Sequence, residues 1–122
     1  MSDFEELTLL KAEVVESMVS YMTDEDDPDF DAGYEQEHVD RCASILDGFI
    51  ASISSISPPG DSAQILTVTK NTVLALNALN DSCDGSLIET DQREMICALI
   101  LTGARLAGLP GEDDITEEWR EW

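Results

Sequence analysis

Apolar residues recur every third or fourth position in four separate stretches of this chain, and Pro-, Gly- and Asp-rich segments divide the stretches. That spacing is helical, and four amphipathic helices in one short chain bury their apolar faces by packing against each other. Residues 3–22 place Phe4, Leu7, Leu10, Val14, Val15, Met18 and Met22 on one side, with Ser2 or Asp3 as N-cap and Glu5 and Glu6 in the first turn. Residues 35–54 align Val39, Cys42, Leu46, Phe49 and Ile53, and Ser57-Pro58-Pro59-Gly60 ends that helix. Residues 62–79 follow, weakened by Thr67, Thr69 and Thr72 in the first half. Asn80-Asp81-Ser82-Cys83-Asp84-Gly85 reads as a turn.

Residues 90–107 form the fourth helix, with Asp91-Gln92-Arg93-Glu94 as a capping box and Leu109-Pro110-Gly111 as the stop. Its apolar surface runs nearly all the way round, which suits a central position in a bundle, and Gly103, Ala104 and Ala107 permit close approach. A short acidic helix over 115–122, capped by Asp113 or Asp114, completes the expectation. The only faint strand pattern is 65–69. The expected fold class is therefore all-α, a single-domain bundle of four main helices with a short acidic C-terminal helix, and 122 residues suffice for one core.

Asp and Glu outnumber Lys and Arg by 27 to 6, giving a formal charge of -21, while 43% of residues are hydrophobic. The hydrophobic share is too high for acidic disorder, so the chain folds against its own repulsion and gains stability as salt screens it. Such a charge argues against direct binding of nucleic acid or an anionic membrane. The opening MSDFEEL lacks the basic and apolar regions of a secretory signal, and the apolar stretch 95–101 is too short to span a bilayer, so a cytoplasmic protein is expected. Cys42, Cys83 and Cys97 are odd in number and lack paired spacing, which disfavours disulfides and zinc. Cys42 and Cys97 read as core filler, and Cys83 as more exposed.

The acid is concentrated. Residues 24–40, DEDDPDFDAGYEQEHVD, hold nine carboxylates, Phe30 and Tyr34, and no Lys or Arg. A calcium loop beginning at Asp27 has oxygens at positions one, three and five, but Ala32 falls at six and His38 at twelve. A frame beginning at Asp24 recovers Glu35 at twelve and puts Pro28 at five, so neither frame completes an EF-hand. The plain alternative is a solvated acidic connection between helices.

No phosphate-binding glycine loop or nucleophile elbow is present. His38 is the sole histidine and has no serine or cysteine at a partner spacing; it reads as a surface residue at a helix start. Dispersed carboxylates such as Glu13, Glu16, Asp47, Glu89 and Glu94 select no dyad by spacing. No catalytic role and no cofactor is expected.

Carboxylates interleaved with rings suit the covering of a cationic cleft, because charges steer the encounter and rigid rings anchor it. Residues 112–122 repeat the recipe, with six carboxylates, Trp119 and Trp122. In the bland reading Trp119 tucks into the bundle and the acids only solubilise the end. The acidic loop at 23–34 and this tail, DEDDPDFDAGYEQEHVD and EDDITEEWREW, together with size and helicity, resemble the small acidic immunity proteins of bacterial toxin systems. The resemblance implies a protein that neutralises a basic toxin domain, such as a nuclease, by occluding its cationic site. The partner-binding residues expected on this reading are Asp26, Asp27, Asp29, Phe30, Asp31, Tyr34 and Glu35 in the loop, and Glu117, Glu118 and Trp122 in the tail. The alternatives are a nucleic-acid mimic or adaptor for another basic protein, and a calcium-responsive helical module.

Overall fold

The computed structural model describes residues 5–22, 33–56, 61–109, 115–117 and 119–122. Within them the chain forms α1 (Glu5–Met22), α2 (Gln36–Ser54), α3 (Ser62–Ser82) and α4 (Thr90–Leu106), and no strand. Consecutive helices run antiparallel. Leu7, near the start of α1, reaches Gly103 near the end of α4, while Ser17 and Tyr21 bond Gln92 and Asp91 at the α4 start. Likewise Lys11 on α1 pairs with Asp47 on α2 at 2.6 Å.

The apolar register read from the sequence carries the packing. Leu7, Val14 and Met18 of α1, the five aligned residues of α2, and Ile96, Leu99 and Ile100 of α4 are buried in one core. Phe49 is its largest fully buried side chain and brings α1, α2 and α4 together, because its ring lies against Gly103 beside Leu7. A Cβ on Gly103 would stand 2.8 Å from that ring, whereas a Cβ on Gly48, on α2, meets nothing within 4 Å. Both glycines sit in helix interiors, where alanine is intrinsically better by about 0.5–1 kcal/mol. Gly48→Ala should therefore raise the thermal midpoint, and Gly103→Ala should lower it as overpacking against the rigid ring outweighs the helical gain. Thermal unfolding followed by circular dichroism separates the two; equal shifts in one direction would contradict this packing.

The helices α1 and α2 end at Met22 and Ser54 as the sequence reading has them, whereas the ends of α3 and α4 differ from it. The threonines of α3 are accommodated because Thr67, Thr69 and Thr72 hydroxyls donate to the carbonyls four residues back, at 2.8–3.0 Å. The helix then continues through Asn80-Asp81-Ser82, which the sequence suggested as a turn, and stops in a Schellman motif. Asp84 N–H bonds Asp81 C=O, Gly85 N–H bonds Asn80 C=O, and Asp84 takes the left-handed conformation at φ 54°. A second Schellman motif ends α4: Gly108, at φ 109°, bonds Arg105 C=O and Leu109 bonds Ala104 C=O. Gly108 is thus the stop, ahead of the Leu109-Pro110-Gly111 expected. The α4 capping box also starts two residues earlier than read, at Glu89, with Gln92 as its reciprocal partner.

Cys83 is buried at the α3 cap, at 4% exposure, instead of lying open in a loop. Cys97 is half-buried under the tail. No helix forms among the described residues at 115–122. Asn77, buried on α3, holds this segment instead: its Nδ2 donates to Trp119 C=O at 2.7 Å, and its Oδ1 accepts from Glu121 N–H at 3.1 Å. The amide thereby takes the Glu121 N–H, which a helix over 115–122 would direct to Glu117 C=O, and satisfies the Trp119 carbonyl. Arg120 meanwhile donates from Nη1 to Cys97 Sγ at 2.9 Å, so the tail crosses from α3 to α4. Among the described residues, no helix is long and apolar enough to cross a membrane.

Candidate functional site: an acidic bundle end with a tyrosine cleft

Antiparallel packing gathers the end of α1, the start of α2, the end of α3 and the start of α4 at one end of the bundle. The exposed carboxylates there are Glu35, Glu37, Asp40, Asp81, Asp84, Glu89, Asp91 and Glu94. Only Arg41 and Arg93 supply positive side chains on the same helical ends. The chain between Met22 and Gly33, which carries six of the acids in 24–40, starts and finishes at this end.

Three polar side chains tie the end together. Tyr34 is buried, and its Oη donates to the Met18 carbonyl at 2.6 Å, fixing the entry to α2 against α1. Gln92, 1% exposed, accepts from Glu89 N–H at 3.1 Å and donates to Ser17 Oγ at 2.8 Å, joining α4 to α1. Asn80 accepts from Ile88 N–H at 2.9 Å and so holds the α3–α4 connection. Gly33 fits where it does for two reasons. Its φ of 86° is left-handed, and a Cβ would come within 2.6 Å of Ser86 Oγ. His38 Nδ1 accepts from Glu35 N–H at 2.9 Å and so completes a capping box at α2, a structural use for the only histidine.

Between these elements lies a cleft of about 320 Å³, lined by Tyr21, Tyr34, Ser86, Glu89, Thr90, Asp91 and Gln92. Tyr21 is 48% exposed, and its Oη donates to Asp91 Oδ2 at 2.7 Å. That bond to the carboxylate, joined by the Asp91 charge, holds the Tyr21 phenol above its ordinary range. Burial does the same to Tyr34, with a smaller push from Glu89, and its phenol rises to about 12. Burial alone lifts the Cys42 thiol, on the neighbouring face of α2, to about 12.

These shifts set a sign for alkaline stability. In the unfolded chain the thiol and phenol ionise from 9.0 and 10.0; in the folded chain both keep their protons to about 12. The folded state therefore binds more protons between those limits, and its stability is intact below pH 9 and falls as pH rises toward 12. Thermal midpoints under reducing conditions should decline across that window. The decline should be shallower in a Cys42→Ala, Tyr34→Phe double variant, and identical slopes would contradict the burial of both groups.

Among the partner-binding residues expected from sequence, Asp26, Asp27, Asp29, Phe30, Asp31 and Glu118 lie outside the described residues. Tyr34 is a correction: its ring belongs to the core and its hydroxyl is engaged, so it lines the cleft floor without standing out as an anchor. Glu35 is exposed at the α2 cap, and Glu117 is exposed on the tail. Trp119 and Trp122 both pack partly against the core. The Arg120 guanidinium sits 5.5 Å from the Trp122 ring, whose buried indole N–H has no partner among the described residues. Trp122 is thus largely committed to the chain itself.

Tyr21 and Ser86 are absent from the sequence reading and Asp91 enters it only as part of a capping box; their meeting in the cleft gives them a common use. Among the described residues no three His, Cys, Asp or Glu side chains are arranged to hold a metal ion; the acidic stretch read in calcium frames lies mostly outside them. No protein-family model, curated protein or solved structure matches the chain.

Proposed function

We propose that the protein is a stoichiometric inhibitor of the immunity type, which binds a basic protein and covers its cationic site with the acidic end of the bundle. The observation that supports this reading is the gathering of eight exposed carboxylates on the ends of α2, α3 and α4, at the end where the acidic 24–34 segment enters and leaves. Carboxylates crowded in this way repel each other and oppose folding, so an opposing positive surface would relieve a cost built into the molecule. The natural targets of that surface are proteins that hold phosphate backbones, because their sites present Lys and Arg in an extended array. A toxin nuclease domain is the partner class favoured by the resemblance to acidic immunity proteins.

Occlusion follows from the same physics. Long-range attraction accelerates encounter, the acids take the places of phosphates, and nucleic acid is excluded by charge and bulk. No step of chemistry is needed, and a cytoplasmic site of action suits a protein that must meet its target before damage is done.

The test is capture from a lysate of the source cell at low salt, elution in a salt gradient, and mass spectrometry of the eluted fractions. The expected result is one basic protein of nuclease type, released at a defined salt concentration in one-to-one stoichiometry, whose activity is blocked when the two are mixed. Elution of only abundant ribosomal proteins across a broad range would leave the acids as solubilising charge and overturn the reading.

A further inference from the structure

We infer that the cleft between Tyr21 and Asp91 receives an arginine side chain of the basic partner, an inference that rests on the proposed inhibitor function and names its central contact. The cleft holds about 320 Å³, the liquid volume of about ten waters, which is room for a guanidinium and part of its stem. Among the described residues its lining includes two phenol rings, two carboxylates and two hydroxyl side chains, and no Lys, Arg or His.

The internal bonding shows which groups face a ligand. Tyr34 Oη is committed to Met18 and both ends of the Gln92 amide are committed to Ser17 and Glu89, so these form the frame. Asp91 accepts from Tyr21 through one oxygen, the Glu89 carboxylate accepts from the Gln92 N–H in the α4 capping box, and among the described residues neither has an ion-pair partner. An incoming cation would find the Glu89 and Asp91 carboxylates in the lining together with the half-exposed ring of Tyr21.

Arginine fits this arrangement better than lysine. A guanidinium is planar, presents five donors in a fork that spans separate acceptors, and stacks on an aromatic face with little loss of hydration. An ammonium is a compact, strongly hydrated charge that gains less from a ring and cannot bridge two carboxylates in one plane. A neutral ligand would strip water from Glu89 and Asp91 without returning a charge. The Tyr21–Asp91 bond also holds the ring and the carboxylate in a fixed relation before any partner arrives, which lowers the ordering cost of docking.

The test uses the whole chain and two readouts. Nitrogen–proton correlation spectra are recorded with N-acetyl-arginine amide, N-acetyl-lysine amide and the uncharged N-acetyl-citrulline amide. The arginine probe should shift the amides of Tyr21, Ser86 and residues 89–92 in a saturable manner, at least tenfold more tightly than the other two probes. Asp91→Asn, an isosteric change at an exposed site, should abolish the saturation with the circular dichroism spectrum unchanged. Shifts spread evenly over all acidic segments, or equal affinity for the lysine probe, would overturn the inference. The second readout is capture of the basic partner by wild type and by a Tyr21→Ala, Asp91→Asn double variant. At least tenfold weaker capture by the variant is expected. Equal capture by both would remove the cleft from the interface while leaving the inhibitor reading in place, whereas no basic partner for wild type would remove that reading itself.

Discussion

Phe49→Ala should destabilise the protein by about 3–5 kcal/mol, the cost of removing a fully buried aromatic ring from a core that cannot collapse around the gap. Phe49 is 2% exposed and stands where α1, α2 and α4 meet, with Gly103 and Leu7 against its ring. The absence of a Cβ at Gly103 is what lets the ring lie there, and Gly103 has no side chain with which to fill the void. Domains of this size have a total stability of roughly 0.05–0.15 kcal/mol per residue, so such a loss takes a large fraction of the whole. Urea unfolding should show a much lower midpoint, or a population already unfolded in buffer. Leu74→Ala, at a residue 43% exposed on α3, serves as the comparison and should stay within about 0.5 kcal/mol of wild type. Equal effects at the two positions would contradict the assignment of the core.

The largest functional effect is expected from removing charge at one end of the bundle only. A variant with Glu37→Gln, Asp40→Asn, Asp81→Asn and Asp84→Asn loses four of the eight exposed carboxylates there and no carboxylate that lines the cleft. Electrostatic steering raises association rates by about 10–10³-fold, and a change of four charges near the contact should slow association by about tenfold or more at low salt. Dissociation should change much less, since none of the four lines the cleft. Neutralising Glu5, Glu6 and Asp61 at the opposite end, with Glu13 on the side of α1, changes net charge by the same amount and should have a far smaller effect. Stopped-flow association with the captured partner distinguishes a local interface from a general charge effect. Fewer carboxylates should also make the first variant fold more stably at low ionic strength, which separates lost binding from lost structure.

The helices were legible in the sequence because the information that makes them is local. In α2 the spacing of Val39, Cys42, Leu46, Phe49 and Ile53 marks a buried stripe, and all five are in the core. Helix ends were less legible, since Ser82 could be read as turn or helix until the paired Asp84 and Gly85 conformations closed the α3 Schellman motif. The tail was not legible because what holds it is distant: the Asn77 side chain, 44 residues before Glu121, accepts from the Glu121 N–H, a contact that no local pattern announces. The cleft lay beyond the reach of pattern for the same reason. Tyr21 and Asp91 are 70 residues apart, and nothing around Tyr21 tells which helix end will lie beside it. Tyr34 shows the reverse error: an aromatic in an acidic stretch looked like a surface anchor, yet its ring completes the core and its hydroxyl fastens α2 to α1. Surface charge, by contrast, survived the passage from sequence to structure, because carboxylates at helix ends remain in water unless paired.

Capture of a basic protein by the acidic end of the bundle, as proposed, rests on electrostatic attraction. It is tested most directly by measuring the association rate constant between the wild-type chain and its captured partner as ionic strength is raised. That constant should fall steeply with salt, while the dissociation rate changes little. An association rate that stays flat across the same range would contradict it.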